Sequence, residues 1–389
     1  LNRFEFKIRK ELRAKRNINY LILSVDALTP SLTGIGRYTW ELASRLPLCV
    51  DIGSLNFYQQ SRRIKNPSDL LDQEWKPSRR SWLQKKEPAW FRDLRLKLLC
   101  RGTLFHSPNY FLPSFADIGI ATIHDLSVFK FPETHPAERI KQFEKHFQAT
   151  LQIADHLITD TEAIRQEVIN TFSWPDEKIT AVHLGSSRHF KPQKLQQTFE
   201  ILARYGLSHG GYTLCVSTIE PRKNIDRLLA AYNRLPKDLL RRFPLVLVGS
   251  IGWESDEIHQ QIERCCAEGW LKYYGFVTEG DLEVLYAGAW LFVYPSRYEG
   301  FGLPVLEAMA SGIPVITSHD PALVELASGA ARHCEGDDED ALRCAIGESL
   351  ADIEWRENAI VEGLKVAGLF SWERCIKETV QVYRKVVGC

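Results

Sequence analysis

The chain has 389 residues, 44% of them hydrophobic and 25% charged, with no net charge. Such a length exceeds what one hydrophobic core fills, so two globular domains are expected, and the composition excludes a disordered or collagen-like chain. No window reaches the roughly 18 apolar residues that span a bilayer, and the N-terminal LNRFEFKIRKELRAKRN is too charged for a signal peptide, so a cytoplasmic protein is expected.

In chain order, NYLILSVDAL (19–28) reads as a buried strand followed by the loop TPSLTGIGR. From Arg37 the pattern turns helical, with Tyr38, Leu42 and Leu46 three to four residues apart. Further strands are predicted at GIATIHD (119–125) and HLITD (156–160), the latter leading through a capping signal, Asp160 or Thr161, into the helix TEAIRQEVINTF. A second series starts with TLCVST (213–218) and the loop and helix EPRKNIDRLLAAYNRL, then PLVLVGS (244–250), LKYYGFV (271–277), WLFVYPS (290–296) and IPVITS (313–318). Short apolar strands alternating with helices imply parallel sheets covered on both faces. The series change near Phe190–Gly211, where HFKPQKLQQ and YGLSHGG read as a linker. The expected fold class is therefore α/β, two doubly wound parallel-sheet domains facing a cleft, 1–195 and 196–370. A last helix after Ser371 carries Trp372, Ile376, Val380 and Tyr383 on one face.

Charge is unevenly spread. Residues 1–200 hold 30 Lys and Arg against 22 Asp and Glu, the remainder 19 against 27, which hints at a basic surface on the first domain. Basic residues interleave with Trp82, Trp90 and Phe91 in SRRSWLQKKEPAWFRDLRLKLLCRG (78–102). That composition suits either an interfacial segment on anionic lipid headgroups or an amphipathic helix whose apolar face joins the core. No nucleic-acid-binding module is recognisable. The nine cysteines have no metal-ligand or redox spacing and read as reduced, mostly buried thiols. The acidic run Asp337-Asp338-Glu339-Asp340 reads as a solvated turn rather than a metal-binding D-x-D, so neither metal nor cofactor is expected.

Chemistry concentrates in YPSRYEGFGLPVLEAMASGIPV (294–315), turn-forming in its first half and helix-forming from Val305. Pro304 suits the first helical position. The amides around Gly302, Leu303 and Val305 would then lie at a helix N-terminus, a natural anion site, and Gly300 and Gly302 would let a phosphate approach closely. Glu299 before the glycines and Glu307 inside the helix could accept hydrogen bonds from sugar hydroxyls. The alternative is a Gly-rich turn with two capping or solvated acids. STIEPRKN (217–224) follows a buried strand and opens a helix, the crevice position of open α/β sheets. Arg222 and Lys223 there would neutralise a diphosphate, or else are two solvated cations.

These residues carry a resemblance. The two acids of Glu299–Glu307 in EGFGLPVLEAMA, EPRKN after an apolar strand, TGIGRY near the N-terminus, TIHDLSVFKFPE (122–133), ADHLITDTEA (154–163) and the terminal FSWERCIKETVQVYR resemble retaining glycosyltransferases of family four over nearly the whole chain. The resemblance implies a GT-B architecture, with the nucleotide-sugar donor held mainly by the second domain, the acceptor by the first, and the final helix (371–389) crossing back to the first. It implies that Glu299 contacts the donor sugar and Glu307 the ribose. Lys223 aided by Arg222 would hold the diphosphate, and Phe301, Gly302 and Leu303 would turn their amides to the same phosphates. Gly34 and Gly36, with Arg37 nearby, would let the first domain close over the donor, and His124 would lie beside the transferred sugar. Many relatives carry Gly-Arg where this chain has Val216 and Ser217, and Arg222 compensates in this reading.

The implied reaction is a metal-independent, retaining transfer, closest in motif to bacterial mannosyltransferases using GDP-mannose. Its implied acceptor is a saccharide or lipid-linked saccharide of bacterial surface polysaccharide synthesis, handled by a cytoplasmic protein that can sit at the inner membrane face. A UDP-sugar-dependent enzyme of the same family is the alternative, followed by a phosphorylase, an epimerase or a non-catalytic sugar-nucleotide-binding protein. Oligomeric state is not readable.

Overall fold

A computed structural model of the chain describes residues 18, 20–30, 32–72, 89–252 and 255–388. Two compact units result, each built on its own sheet. The first comprises the chain to Leu126, Lys141–His183 and Trp372–Cys389; the second comprises Ser127–Ile140 and Leu184–Ser371.

The first unit contains β1 (Leu21–Ser24), β2 (Leu55–Gln59), β3 (Arg62–Ile64), β4 (Leu104–Ser107), β5 (Ile118–Ile123), β6 (Ala154–Thr159) and β7 (Ile179–Ala181). Their order is β3-β2-β1-β4-β5-β6-β7, all parallel except β3, which runs antiparallel to β2 at the edge. Every residue of β1, β4 and β5 is buried, as expected of strands covered on both faces. The β2–β3 hairpin lacks a sequence signal because Gln60, not Gly or Asn, takes the left-handed conformation of its turn, at φ 54°.

The final helix, Trp372–Val387, belongs to this first unit, as the family resemblance implied. Trp372, Ile376, Val380 and Tyr383 are buried, so the predicted face is the packed one. The Tyr383 hydroxyl lies 2.6 Å from Nδ1 of His106, whose Nε2 lies 2.9 Å from the Thr122 hydroxyl. Burial and the neighbouring His124 push the His106 pKa down to about 3, so it stays neutral. Arg45 and Arg384 add ion pairs to Glu373 at 3.0 Å and Asp51 at 2.5 Å.

The second unit contains β8 (Thr213–Val216), β9 (Leu245–Val248), β10 (Leu271–Tyr273), β11 (Leu291–Tyr294), β12 (Val315–Ser318) and β13 (Arg332–Cys334), ordered β10-β9-β8-β11-β12-β13 and wholly parallel. Tyr232, Phe243 and Trp270 join the strand side chains in its core. Two expectations need correction. The stretch read as a linker, 190–211, contains the helix Leu195–Arg204, with Thr198 and Leu202 buried; its Lys- and Gln-rich flanks hid an amphipathic pattern. The units divide at His183–Leu184 rather than at 195–196, and Ser127–Ile140 goes with the second unit, where the Phe131 ring packs 5.4 Å from Tyr298.

Candidate active site

In the second sheet the strand order reverses between β8 and β11, the place where open α/β sheets leave a crevice beyond their strand ends. One loop enters from each side. After β8 a turn of 3-10 helix, Pro221–Lys223, is followed by Asn224 in the left-handed conformation at φ 54° and the helix Ile225–Asn233. After β11 the loop from Pro295 ends at Gly302, and the helix Leu303–Ala310 follows with Pro304 in its first turn.

Lys223 and Glu299 meet across this crevice. Lys223 donates to Oε1 of Glu299 at 2.5 Å and to the Tyr294 hydroxyl at 3.1 Å, and that hydroxyl donates to the same carboxylate oxygen at 2.9 Å. Arg222 donates to Glu220 at 2.8 Å and to the Tyr298 carbonyl, and lies 3.9 Å from Oε2 of Glu299. Glu220, Arg222, Lys223 and Glu299 are all buried, so two cations face two carboxylates in a low-dielectric crevice. Burial alone would raise the Glu299 carboxyl, but Lys223 and Arg222 outweigh it and hold the group below the ordinary glutamate value. Burial, reinforced by Glu299, keeps the Tyr294 phenol well above its usual value, so it acts as a neutral donor.

The start of helix Leu303–Ala310 is fixed by packing. Gly302 has φ 98°, and a Cβ there would lie 2.4 Å from Cδ2 of buried Leu323. Leu323 belongs to the helix Pro321–Ala327, capped by Asp320, which accepts from the Ala322 and Leu323 amides at 3.0 and 3.1 Å. Burial and the Glu299 charge raise the Asp320 carboxyl to about 7, against the backbone amides of Leu323, Glu299 and Ala322 that donate to it. One buried acid therefore ties the Glu299 loop to the helix supporting Gly302. Glu307 is half-buried beside Tyr286, whose phenol is raised by burial and by the Glu307 charge.

Gly34, Gly36, Arg37 and His124 belong to the first unit. Thr33 caps the helix Gly34–Arg45 by accepting from the Gly36 amide. A Cβ on Gly36 would lie 3.0 Å from the Ala27 carbonyl, so local packing already favours glycine. His124, just beyond β5, has both ring nitrogens occupied, Nδ1 2.7 Å from Asp160 and Nε2 2.8 Å from the Pro108 carbonyl. Burial disfavours its charged form, yet Asp160 overrides this and raises the His124 pKa. Burial raises the Asp160 carboxyl as well, so the two groups share a proton between Nδ1 and Oδ2 while Nε2 donates to the Pro108 carbonyl.

The acidic run is consumed by structure. Asp337 accepts from Arg297 at 2.6 Å and Asn224 at 3.0 Å, Asp338 caps the helix Glu339–Ala351, and Glu339 and Asp340 pair with Arg227 and Arg234. No group of three or more His, Cys, Asp or Glu able to hold a metal occurs among the described residues.

The family model for group 1 glycosyl transferases matches residues 203–365, which carry both crevice loops. The chain is 37% identical over 383 residues to the O-antigen chain mannosyltransferase B of Escherichia coli, covering 94% of this chain and 99% of that protein. The chain belongs to the group 1 glycosyltransferases. Among solved structures it resembles sucrose-phosphate synthase of Thermosynechococcus elongatus, with a TM-score of 0.70, 21% identity, and 95% and 99% of the two chains covered. It also resembles Anabaena HepE in complex with UDP-glucose, with a TM-score of 0.72, 17% identity, and 94% and 99% covered. These likenesses establish the GT-B fold for this glycosyltransferase.

Tyr294, Glu220 and Asp320 join the crevice of the second unit, and Asp160 joins His124 in the first unit, without a site signal of their own in the sequence. Tyr294 reads as one more apolar residue ending a strand. Asp320 before Pro321 carries a readable capping signal, but nothing local links it to Glu299. Asp160 and Thr161 are equally good caps by sequence; the cap is Thr161, which frees Asp160 for His124.

Proposed function

We propose that this glycosyltransferase moves mannose from GDP-mannose, with retention at the anomeric carbon, to a saccharide acceptor of O-antigen type carried on a lipid. The observation that carries the reading is the buried meeting of Lys223, Arg222 and Glu299 at the strand-order switch, beside a helix N-terminus opened by Gly302. The mannose assignment rests on the 37% identity to a protein named a mannosyltransferase over nearly the full length of both chains.

In this mechanism the bond from the anomeric carbon to the diphosphate oxygen breaks, and its electron pair stays with the diphosphate. The acceptor oxygen bonds to the same carbon on the same face, and its proton passes to the departing phosphate. Lys223, Arg222 and the amides of Phe301, Gly302 and Leu303 stabilise the charge growing on the leaving group, the largest demand of the reaction. Glu299 holds the sugar hydroxyls, with Oε1 already fixed by Lys223 and Tyr294, and Glu307 takes the ribose. His124 serves as a fixed wall beside the transferred sugar, since both of its ring nitrogens are engaged. No metal or cofactor enters the scheme.

A peripheral position at the cytoplasmic membrane face belongs to the same reading, supported by apolar residues exposed on the helix Ala89–Leu99. No described helix is long and apolar enough to cross a membrane. The deciding experiment is a calorimetric panel of GDP-, UDP- and ADP-sugars, followed by NMR of the anomeric configuration of the product. Tight binding of GDP-mannose and an α-linked product are expected; preference for a UDP-sugar or an inverted product defeats the assignment.

A further inference from the structure

The first sheet has its own switch point. Its strand order reverses between β1 and β4. A cavity of about 410 Å³ opens there, lined by Ser24 at the end of β1 and Asp26 just beyond it, by Gln60 and Ser61 of the β2–β3 turn, and by the stretch Phe111–Phe115 that follows β4. Its volume falls in the range of small-ligand pockets.

We infer that this cavity is a subsite for a neutral hexose unit, the end of the saccharide acceptor. The inference rests on the transferase reading proposed above and gives its second substrate a place and a charge class. Among the described residues the lining holds one carboxylate, Asp26, one imidazole, His146, and no lysine or arginine, so it offers no permanent cation to a phosphate or a uronate and sets a carboxylate against either. The carboxylate of Asp26 is held ready. One oxygen of Asp26 accepts from the Gln60 amide at 2.5 Å and the other from the Ser24 hydroxyl at 2.7 Å. Each oxygen keeps a further lone pair, which suits two hydroxyls on one sugar ring. Half-buried Phe111 is braced by the rings of Phe143 and His146, with centroids 5.1 and 5.8 Å away, and supplies an apolar wall for the C–H face of a pyranose.

The aromatic loop is pinned at four points. The Pro108 carbonyl accepts from His124 at 2.8 Å, and the Tyr110 amide donates to the Thr122 carbonyl at 3.0 Å. The Tyr110 hydroxyl accepts from the Asp125 amide at 3.1 Å, and the Leu112 amide donates to the Thr150 hydroxyl at 2.9 Å. Tyr110 sits at φ 55°, a strained conformation for a bulky side chain that persists only where its surroundings over-determine it. Such preorganisation lowers the ordering cost of binding. Through the Pro108 carbonyl, the buried His124–Asp160 pair helps to hold the loop that walls the cavity.

The test titrates α-linked mannotriose against the whole protein by saturation-transfer NMR. It compares the wild type with Asp26→Asn, with Phe111→Ala, and with Ser114→Trp, which fills the cavity from an exposed position and spares the core. Wild-type binding is expected, weakened about tenfold or more in each variant, the scale of a lost hydrogen bond to an ionised group. GDP-mannose binding should remain unchanged in all three. Absence of trisaccharide binding to wild type, unaltered binding by folded Asp26→Asn and Ser114→Trp, or tighter binding of inorganic phosphate or glucuronate overturns the subsite. A wild-type protein that binds mannotriose and ignores every nucleotide sugar supports the subsite and defeats the donor reading.

Discussion

At the scale of single residues, the crevice concentrates its chemistry in groups whose charges are mutually set. Lys223 bonds both to a buried carboxylate and to a phenol that stays neutral. In the proposed mechanism Lys223→Ala removes the cation that meets the departing diphosphate, so on that reading turnover with GDP-mannose should fall about 10²-fold or more, the scale of a lost transition-state donor. Wild-type turnover by the folded variant would take lysine out of the mechanism. Asp320 supplies a pH dependence. Burial and Glu299 raise its carboxyl to about 7, against about 3.9 in an unfolded chain. Between those values the folded chain keeps a proton that the unfolded chain has released. The stability this group contributes therefore falls as pH climbs from about 4 to about 7 and is level above that. Asp320→Asn keeps an oxygen for the helix cap and cannot ionise. Urea unfolding at about pH 5 and about pH 8 should show wild type losing about 2–3 kcal/mol more than the variant, at about 1.4 kcal/mol per pKa unit. Equal losses would assign the titration to another group.

At the scale of elements, the strands buried on both faces were legible because they read as continuous apolar runs bounded by turn residues, as in LVLV of β9 and LFVY of β11. Where pairing depends on distant residues, the sequence was silent. LFHS of β4 buries a histidine satisfied by Tyr383, 277 residues away, and the β2–β3 hairpin turns on a left-handed Gln60. The site divides in the same way. Motif spacing placed Lys223 and Glu299 at the ends of β8 and β11, but their partners Tyr294 and Asp320 follow from strand order. The helix start at Gly302 shows how an element fixes a site. Gly302→Ala combines a left-handed backbone with a clash against buried Leu323, so it should destabilise by about 1–3 kcal/mol and impair transfer. Gly280→Ala is the matched control, because it lies in the helix Glu279–Ala287 with nothing within 4 Å of the added carbon. There the change should stabilise, by up to about 1 kcal/mol. Equal melting shifts for the two variants would show that space and backbone conformation at Gly302 are not limiting.

At the scale of the whole molecule, the open question is what surface this transferase works on. The segment 78–102 allowed a membrane-facing helix or a core helix. Residues 78–88, Trp82 among them, lie outside the described residues, and the part from Ala89 combines features of both readings. Leu96 and Cys100 are buried and fasten the helix to the first unit. Phe91, Leu94, Leu98 and Leu99 face outward, 46%, 51%, 65% and 58% exposed, with Lys97 and Arg101 exposed beside them. Four large apolar side chains on one short helix exceed the scattered exposure normal for a soluble surface. Apolar insertion flanked by cations suits an anionic leaflet, each cation contributing about 1 kcal/mol near the headgroups. The protein should therefore sediment with phosphatidylglycerol-containing vesicles, bind neutral phosphatidylcholine vesicles more weakly, and release as salt is raised. Replacing Leu94, Leu98 and Leu99 together with Ser should abolish sedimentation at every salt concentration, since the buried seam is untouched and the unit stays folded. Lys97→Glu with Arg101→Glu should spare the apolar contact while removing the preference for anionic lipid. Sedimentation of the triple-serine variant at wild-type levels would move the membrane contact to another part of the chain, and binding indifferent to both salt and lipid charge would remove the electrostatic half of the argument.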